Sequence, residues 1–444
     1  MNEAELASAL RGTAEGRLLR ELAESLFPIP RSLTGDGVRD TLRRIGTRIP
    51  LTIHEVPTGT SVLDWTVPDE WNVREAWLAG PDGRRIADWA RSPLHLVGYS
   101  TPIRTRLTLA ELRPHLHSSP DRPDDIPYRT SYWKRTWGFC LPHRELTALP
   151  DGEYEVVIDA TLGPGSLTYG ECVLPGELPD TVLLSAHVCH PALANDNLSG
   201  IAVAVFAAAA LASVSRRFSY RIVFAPATLG AITWLARNPE AVALIRHGLV
   251  LSCLGDRGPL VYKKTRRENA LVDAVAEHVL RHHGPGSVRR FDPYGYDERQ
   301  YGSPGFDLPV GRLTRTPNGE YPEYHTSADD LSILDAGALQ GSLAAVLRII
   351  QVLEQNRSYR NLAPFGEPQL GRRGLYGGLR GANRLPEEEL ALLWVLNQSA
   401  GDRSLLEIAD RAELPFMTIR AAADALVGAG LLAESGTNSQ GASQ

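Results

Sequence analysis

The 444-residue chain has four cysteines and two methionines, and no two of its cysteines stand in a C-x-x-C spacing. Cys140, Cys172, Cys189 and Cys253 are too scattered for a disulfide framework or a thiolate zinc site, and read as reduced thiols. Positive charge is not in excess. The 46 Lys and Arg against 52 Asp and Glu leave a net charge of −6, which removes the electrostatic case for nucleic acid or an anionic membrane as the main partner. No apolar run is long enough to span a bilayer; the longest, Ile201 to Ala212, follows a helix-start signal. The first residues are acidic and lack an apolar h-region, so no secretory leader is expected and the cytoplasm is the expected location. A G-x-S-x-G nucleophile elbow, a Walker loop and a G-x-G-x-x-G turn after a strand are all missing, which argues against serine-hydrolase and nucleotide-binding chemistry.

What is present divides by texture. Leu18, Leu19, Leu22 and Leu26 form a helical stripe within residues 1–50, and a second helix is expected from about Asp36 to Thr47. From 61 to 160, short β-rich runs alternate with Pro and Gly turns and carry Trp65, Trp71, Trp77, Trp89, Trp133 and Trp137. Single tryptophans of this kind are more often packing residues than binding residues. From 181 the pattern becomes strand, helix, strand: TVLLSAH, LSGIAVAVFAAAALASV, YRIVFAP, LGAITWLAR, GLVLSCLG. Continuous apolar strands alternating with helices predict an α/β domain, its sheet mostly parallel and covered on both faces, with ligands at the carboxyl ends of the strands. The expected layout is an α/β domain from residues 1–60 and 161–365, a β-rich insert at 61–160, a Gly/Arg-rich linker at 366–384 and a winged-helix-like unit at 385–444. That last unit has three basic residues against nine acidic ones, the wrong balance for binding phosphates. It reads as a structural or protein-contact element.

The chemistry concentrates in three segments. In SAHVCHPALANDNLSG, His187 leaves the end of a buried strand and Asp196 stands just before a helix. A strand-end imidazole and a helix-start carboxylate can converge on one point, and zinc in hydrolytic sites takes such N and O donors with one position open. Taken singly, a buried His and a helix-capping Asp are ordinary. Two further segments strengthen the pattern: LGDRG places Asp256 at the next strand end, and EYPEYHTSAD places His325 in a polar, aromatic loop.

The order of these motifs resembles the co-catalytic zinc aminopeptidases, which share a fold with glutaminyl cyclases. The longer phrases CHPALANDNLSG, DERQYGSPGFDLPVG and TPNGEYPEYHTSAD are similar to bacterial proteins known by an aminopeptidase-like domain with a β-rich insert and a C-terminal winged helix. The resemblance spans nearly the whole chain. It implies that His187 and Asp256 ligate one zinc, that His325 ligates another, and that Asp196 bridges them (one or two ions in all). It implies an amide hydrolase acting beside a free amine, on a peptide or an aminoacyl-modified small molecule.

Two positions depart from the pattern. Cys189 stands where zinc aminopeptidases carry an aspartate that orients the first His. Ala227, in the sequence Pro226-Ala227-Thr228, stands where the related sequences carry the general-base glutamate. Losing a general base costs roughly 100- to 10,000-fold in rate. Three explanations stand open: an engineered knockout, a natural variant that binds without turnover, or another carboxylate, such as Glu171, Glu298 or Glu323, serving instead. For substrate contact, Asp297, Glu320 and Glu323 are candidates for pairing with an amine. Tyr301, Tyr321 and Tyr324 are candidates for the pocket wall, and Arg299 for holding a carboxylate or phosphate. The alternatives to a hydrolase are a non-catalytic binding protein and a glutaminyl-cyclase-like acyltransferase on the same fold. A homo-oligomer through the insert or the tail is also compatible with the sequence.

Overall fold

The computed structural model describes residues 16–376 and 386–435. The segment 1–15, included above in the helical N-terminus, lies outside them. The helices on either side of the Pro28-Ile29-Pro30 breaker are α1 (Arg17–Leu26) and α2 (Asp36–Gly46). Leu19, Leu22, Ala23 and Leu26 of α1 and Val38, Leu42 and Ile45 of α2 face the core, as their spacing of three to four requires.

Eight strands form the central sheet: β1 (Thr52–Pro57), β2 (Ser166–Leu174), β3 (Thr181–His187), β4 (Ser219–Ala225), β5 (Ile245–Leu251), β6 (Leu260–Lys263), β7 (Gly286–Arg289) and β8 (Val310–Thr314). Their order is β1-β2-β4-β3-β5-β8-β6-β7. The four central strands β4, β3, β5 and β8 run parallel; β1 and β2 add antiparallel on one side, and β6 pairs antiparallel with β8 on the other. Every residue of β3 is buried, which explains its unbroken apolar pattern. Helix α3 (Gly200–Ala212), α4 (Leu229–Arg237), α5 (Leu271–His282) and α6 (Ala336–Gln355) cover the sheet. Two helical stretches, Ala194–Ala212 and Ala336–Gln355, are long and apolar enough to cross a membrane, but 94% and 72% of them are buried inside the fold, where they serve as core helices.

Between β1 and β2 the chain leaves the sheet and builds a second one. Arg85–Asp88, Glu70–Ala79, Glu153–Gly163 and Ile103–Thr108 form an antiparallel four-stranded sheet in that order. Its strand Glu153–Gly163 passes residue 160 and ends three residues before β2 begins.

The C-terminal unit contains α7 (Glu387–Gln398), α8 (Leu405–Ala412) and α9 (Phe416–Gly428), and a three-stranded sheet in which Ser358–Asn361 lies between Ala400–Ser404 and Leu432–Glu434. This is a winged helix-turn-helix arrangement. It corrects the boundaries read from the sequence: Ser358–Asn361 was placed in the α/β domain and 366–376 in a linker. The unit instead takes its central strand from before residue 365, because the wing needs a third strand to pair its edges. Leu370, inside the expected linker, is buried against the core; residues 377–385 lie outside the described residues. His278 of α5 bridges to this unit, with Nδ1 2.7 Å from Asp410 and Nε2 accepting the Phe416 N–H.

Arg39 of α2 ties the insert to the α/β domain. Its guanidinium donates to both oxygens of Glu70 at 2.8 and 2.5 Å, and Glu70 also accepts the N–H of Ser166 at the start of β2. The Arg39 hydrogen bonds hold the Glu70 carboxyl down at about 2. Its pKa is lower folded than unfolded, so the pair's contribution is complete above about pH 4.5 and is lost as pH falls toward 2. Glu70→Gln is expected to cost about 1–3 kcal/mol at neutral pH and to flatten the acid limb of urea unfolding between pH 5 and 2.5. An unchanged acid limb would remove this role.

Candidate active site

Strand β3 ends at His187, and the turn Ala194–Ser199 before α3 carries Asp196. Both side chains are fully buried. Nε2 of His187 lies 2.8 Å from Oδ1 of Asp196, and Nε2 of His325 lies 3.0 Å from Oδ2. One carboxylate therefore spans two imidazoles that are 138 positions apart in the chain. Burial alone would raise the Asp196 carboxyl, but His190 and His187 outweigh it and hold it well below the usual carboxylate range.

His190 is a third imidazole in this cluster, one that the sequence reading did not single out. Its ring centroid is 4.9 Å from that of His187 and 5.2 Å from that of His325. Burial pushes its pKa down to about 3, against the pull of Asp196. The donor atoms of His187, His190 and Asp196 all lie within 4.8 Å of one another. Ligands sharing one zinc at 2.0–2.1 Å stand about 3–4 Å apart, closer than that limit; it is the donor types, two imidazoles and a carboxylate, that suit a divalent transition metal.

The loops that carry these groups are anchored by buried polar residues. Asp329 accepts the N–H of Asn195 at 2.6 Å, the N–H of Asp196 at 3.1 Å and the Tyr321 hydroxyl at 3.0 Å. It thereby fastens the Asp196 turn to the loop of His325. Arg31, 1% exposed, donates from Nε to the His190 carbonyl at 2.9 Å. Asn197 is fixed by backbone: its Oδ1 accepts from Gly200 and Cys253, and its Nδ2 donates to the Leu251 carbonyl. That Nδ2 stands 3.3 Å from Nδ1 of His187. A metal-bound imidazole ordinarily gives its other N–H to a carboxylate or carbonyl; here an amide donor stands there, so His187 is a less firmly backed ligand. Cys189, at the family's aspartate position, accepts the Ala227 N–H at Sγ (3.2 Å).

The insert closes the site from above. The Tyr128 N–H donates to the His325 carbonyl, the Ser327 N–H donates to the Ile126 carbonyl, and the Tyr128 ring meets His190 and His325 edge-on at 5.2 and 5.1 Å. Between the two domains lies a pocket of about 400 Å³, lined by Trp65, Tyr128 and Trp133 from the insert and by His190, Ala227 and His325 from below.

The other expected site residues divide. Ala227 is on the pocket wall. Asp297 is buried beside it, accepting the Thr228 N–H at 2.7 Å, and burial raises its carboxyl to about 6. Tyr324 stacks on His325 at 3.9 Å. Asp256, expected as a zinc ligand, does not join the cluster. Its carboxylate instead accepts four hydrogen bonds, from Gly258, the Thr316 hydroxyl and N–H, and Asn195. Glu320 is paired with Arg289 at the surface. Tyr301 is a core residue bonded to Ser185. Arg299 and Glu323 do not line the pocket. Among the proposed substitute carboxylates, Glu171 is held by Trp234 and Arg221, and Glu298 by Lys263.

Comparison with known proteins places this geometry. A family model described as a domain of unknown function, DUF4910, matches residues 20–356, and a winged helix-turn-helix model matches 357–434. The chain belongs to the DUF4910 family. A Clostridium acetobutylicum protein, named as a candidate polysaccharide biosynthesis protein with an aminopeptidase-like domain, is 47% identical over 412 residues, 93% of this chain and 95% of its own. A crystal structure of a candidate peptidase from the same organism superposes with a TM-score of 0.91 at 45% identity, covering 97% and 98% of the two chains. The zinc aminopeptidase of Bacillus subtilis, 13% identical, gives a TM-score of 0.56 over 76% of this chain and 95% of its own, a likeness of fold.

Asp329→Ala would strand two buried N–H groups and a tyrosine hydroxyl. It is expected to cost about 3 kcal/mol or more in urea unfolding. A loss below about 1 kcal/mol would mean that the Asp196 turn is held by other contacts.

Proposed function

We propose that this DUF4910 chain is a zinc-dependent amide hydrolase of the aminopeptidase type, impaired by Ala227 at the position of the catalytic glutamate. The observation that carries the reading is the buried Asp196 set between His187 and His325, with Ala227 on the wall of the adjoining pocket. Zinc, when bound there, supplies Lewis acidity toward a carbonyl and an activated water. Asp196 and His187 would hold it, and His325 orients the second oxygen of Asp196. Position 227 would take up the proton from the attacking water, and alanine has no group to do so. Asp297 is the carboxylate that touches the same turn. The insert keeps bulk water from the cluster through Tyr128.

The pocket favours an aminoacyl-modified small molecule over a long peptide. Tyr128 and its neighbours close it from the insert side, and Trp65 and Trp133, 5.2 Å apart, offer ring faces at the wall. Arg129, with no ion pair among the described residues, lines the same pocket and suits an anionic substituent. The relative's name supports a substrate from polysaccharide biosynthesis, and the four buried free thiols suit a cytoplasmic location. A non-catalytic binding role on the same scaffold is favoured by Ala227 itself.

Zinc-loaded Ala227→Glu is expected to cleave a panel of aminoacyl amides and N-aminoacyl sugars at least 100-fold faster than the Ala227 chain. Cleavage by neither form, with zinc bound to both, would remove the hydrolase reading in favour of binding.

A further inference from the structure

We propose that the site takes a single divalent transition-metal ion, ligated by His187, His190 and Asp196, with His325 supporting Asp196 from its other oxygen. This goes beyond the family-implied pair of ions and rests on the zinc reading above.

The donor inventory comes first. His187, His190 and Asp196 bring two imidazoles and one carboxylate within 4.8 Å of one another. Two ligands at 2.0–2.1 Å from one ion stand about 3–4 Å apart, so the widest-spaced donors must draw in by about an ångström to share one. Two nitrogens and one oxygen with the fourth position open is a donor set of catalytic zinc. His190 is aimed by its loop: Arg31 pins its carbonyl, Cys189 Sγ faces its Nδ1 at 3.7 Å, and Tyr128 packs its face. Nε2 is then the nitrogen left for an ion.

The charge balance decides the number. Two zinc ions bring four positive charges into a buried cluster whose own donors include one carboxylate. Residue 227 is uncharged, Asp256 is spent on four donors, and Asp329 holds the Asn195–Asp196 turn. Leaving that much charge unpaired in a buried site is costly. One ion with Asp196 leaves a single positive charge, which an anionic substrate group or solvent offsets. In this arrangement Oδ2 of Asp196 is free to accept the His325 Nε2–H at 3.0 Å.

The test is zinc titration of the chelator-stripped full-length chain, with metal counted by mass spectrometry and X-ray absorption recorded on the zinc form. One zinc per chain with two imidazoles in its shell is expected. His190→Gln should weaken zinc at least tenfold, and His325→Gln should weaken it less than His190→Gln does. Two zinc ions per chain, a shell with one imidazole, or His190→Gln binding as tightly as the unsubstituted chain would each overturn the proposal. The absorption measurement needs no variant, so a misfolded His190→Gln cannot decide the matter. If the single ion and its two imidazoles appear while Ala227→Glu cleaves nothing, the hydrolase reading fails and this inference stands.

Discussion

The buried charge of Asp196 is the constraint around which the pocket side of the α/β domain is arranged. A carboxylate removed from water must find donors or cations for both oxygens, or it neutralises. Here each oxygen meets an imidazole, one from the end of β3 and one from a loop after β8. Satisfying that carboxylate therefore requires β3, the Asp196 turn and the His325 loop to sit in one register. The buried sheet fixes the first, and Asp329 locks the second to the third. Arg31 extends the same demand to the N-terminal helices, since its guanidinium holds the loop of His190.

The insert belongs to this arrangement. Its segment 126–128 is hydrogen-bonded to the backbone of the His325 loop, and Tyr128 touches two of the three imidazoles. Arg39 and Glu70 clamp the other end of the insert to α2 and β2. The pocket is consequently an interdomain space with imidazoles on one side and aromatic rings from the insert on the other. On the proposed function, a molecule that fills it would meet the insert and the cluster at the same time, and selectivity and chemistry would be set by different domains.

Much of this was legible in the sequence, and the parts that were not share a cause. The strand Thr181–His187 and helix Leu229–Arg237 could be read to the residue, because apolar runs bounded by polar ends leave little choice. His187, Asp196 and His325 were legible as site residues because strand ends and helix starts in an α/β sheet converge. His190 was hidden by proximity to His187: three positions beyond a strand end, the direction of a side chain depends on loop contacts such as Arg31, which lies 159 residues earlier. Asp256 misled for the same reason, since donors from distant segments, Thr316 and Asn195, claim its carboxylate. Tyr301 and Glu320 share the pocket residues' types and neighbouring positions, yet a core hydroxyl partner and a surface arginine claim them. The wing strand Ser358–Asn361 was unreadable because four residues carry too little period to show which sheet they complete.

Position 227 then takes on a meaning beyond a missing base. A glutamate there would add both a proton acceptor and a second negative charge to the cluster, so the same residue governs rate and metal capacity. With alanine, the remaining anionic charge among the donors is that of Asp196, and the imidazole of His190 becomes a natural ligand for a lone ion. The backing of His187 points the same way: an amide beside Nδ1 in place of a carboxylate adds no negative charge behind the metal. Cys189 and Ala227 are also joined physically, since the thiol accepts the Ala227 N–H. Neither brings a carboxylate to the pocket wall they share. On the hydrolase reading, the missing base and the low negative charge beside Asp196 have one origin in residue 227, which is why rate and metal count must be measured on the same variants.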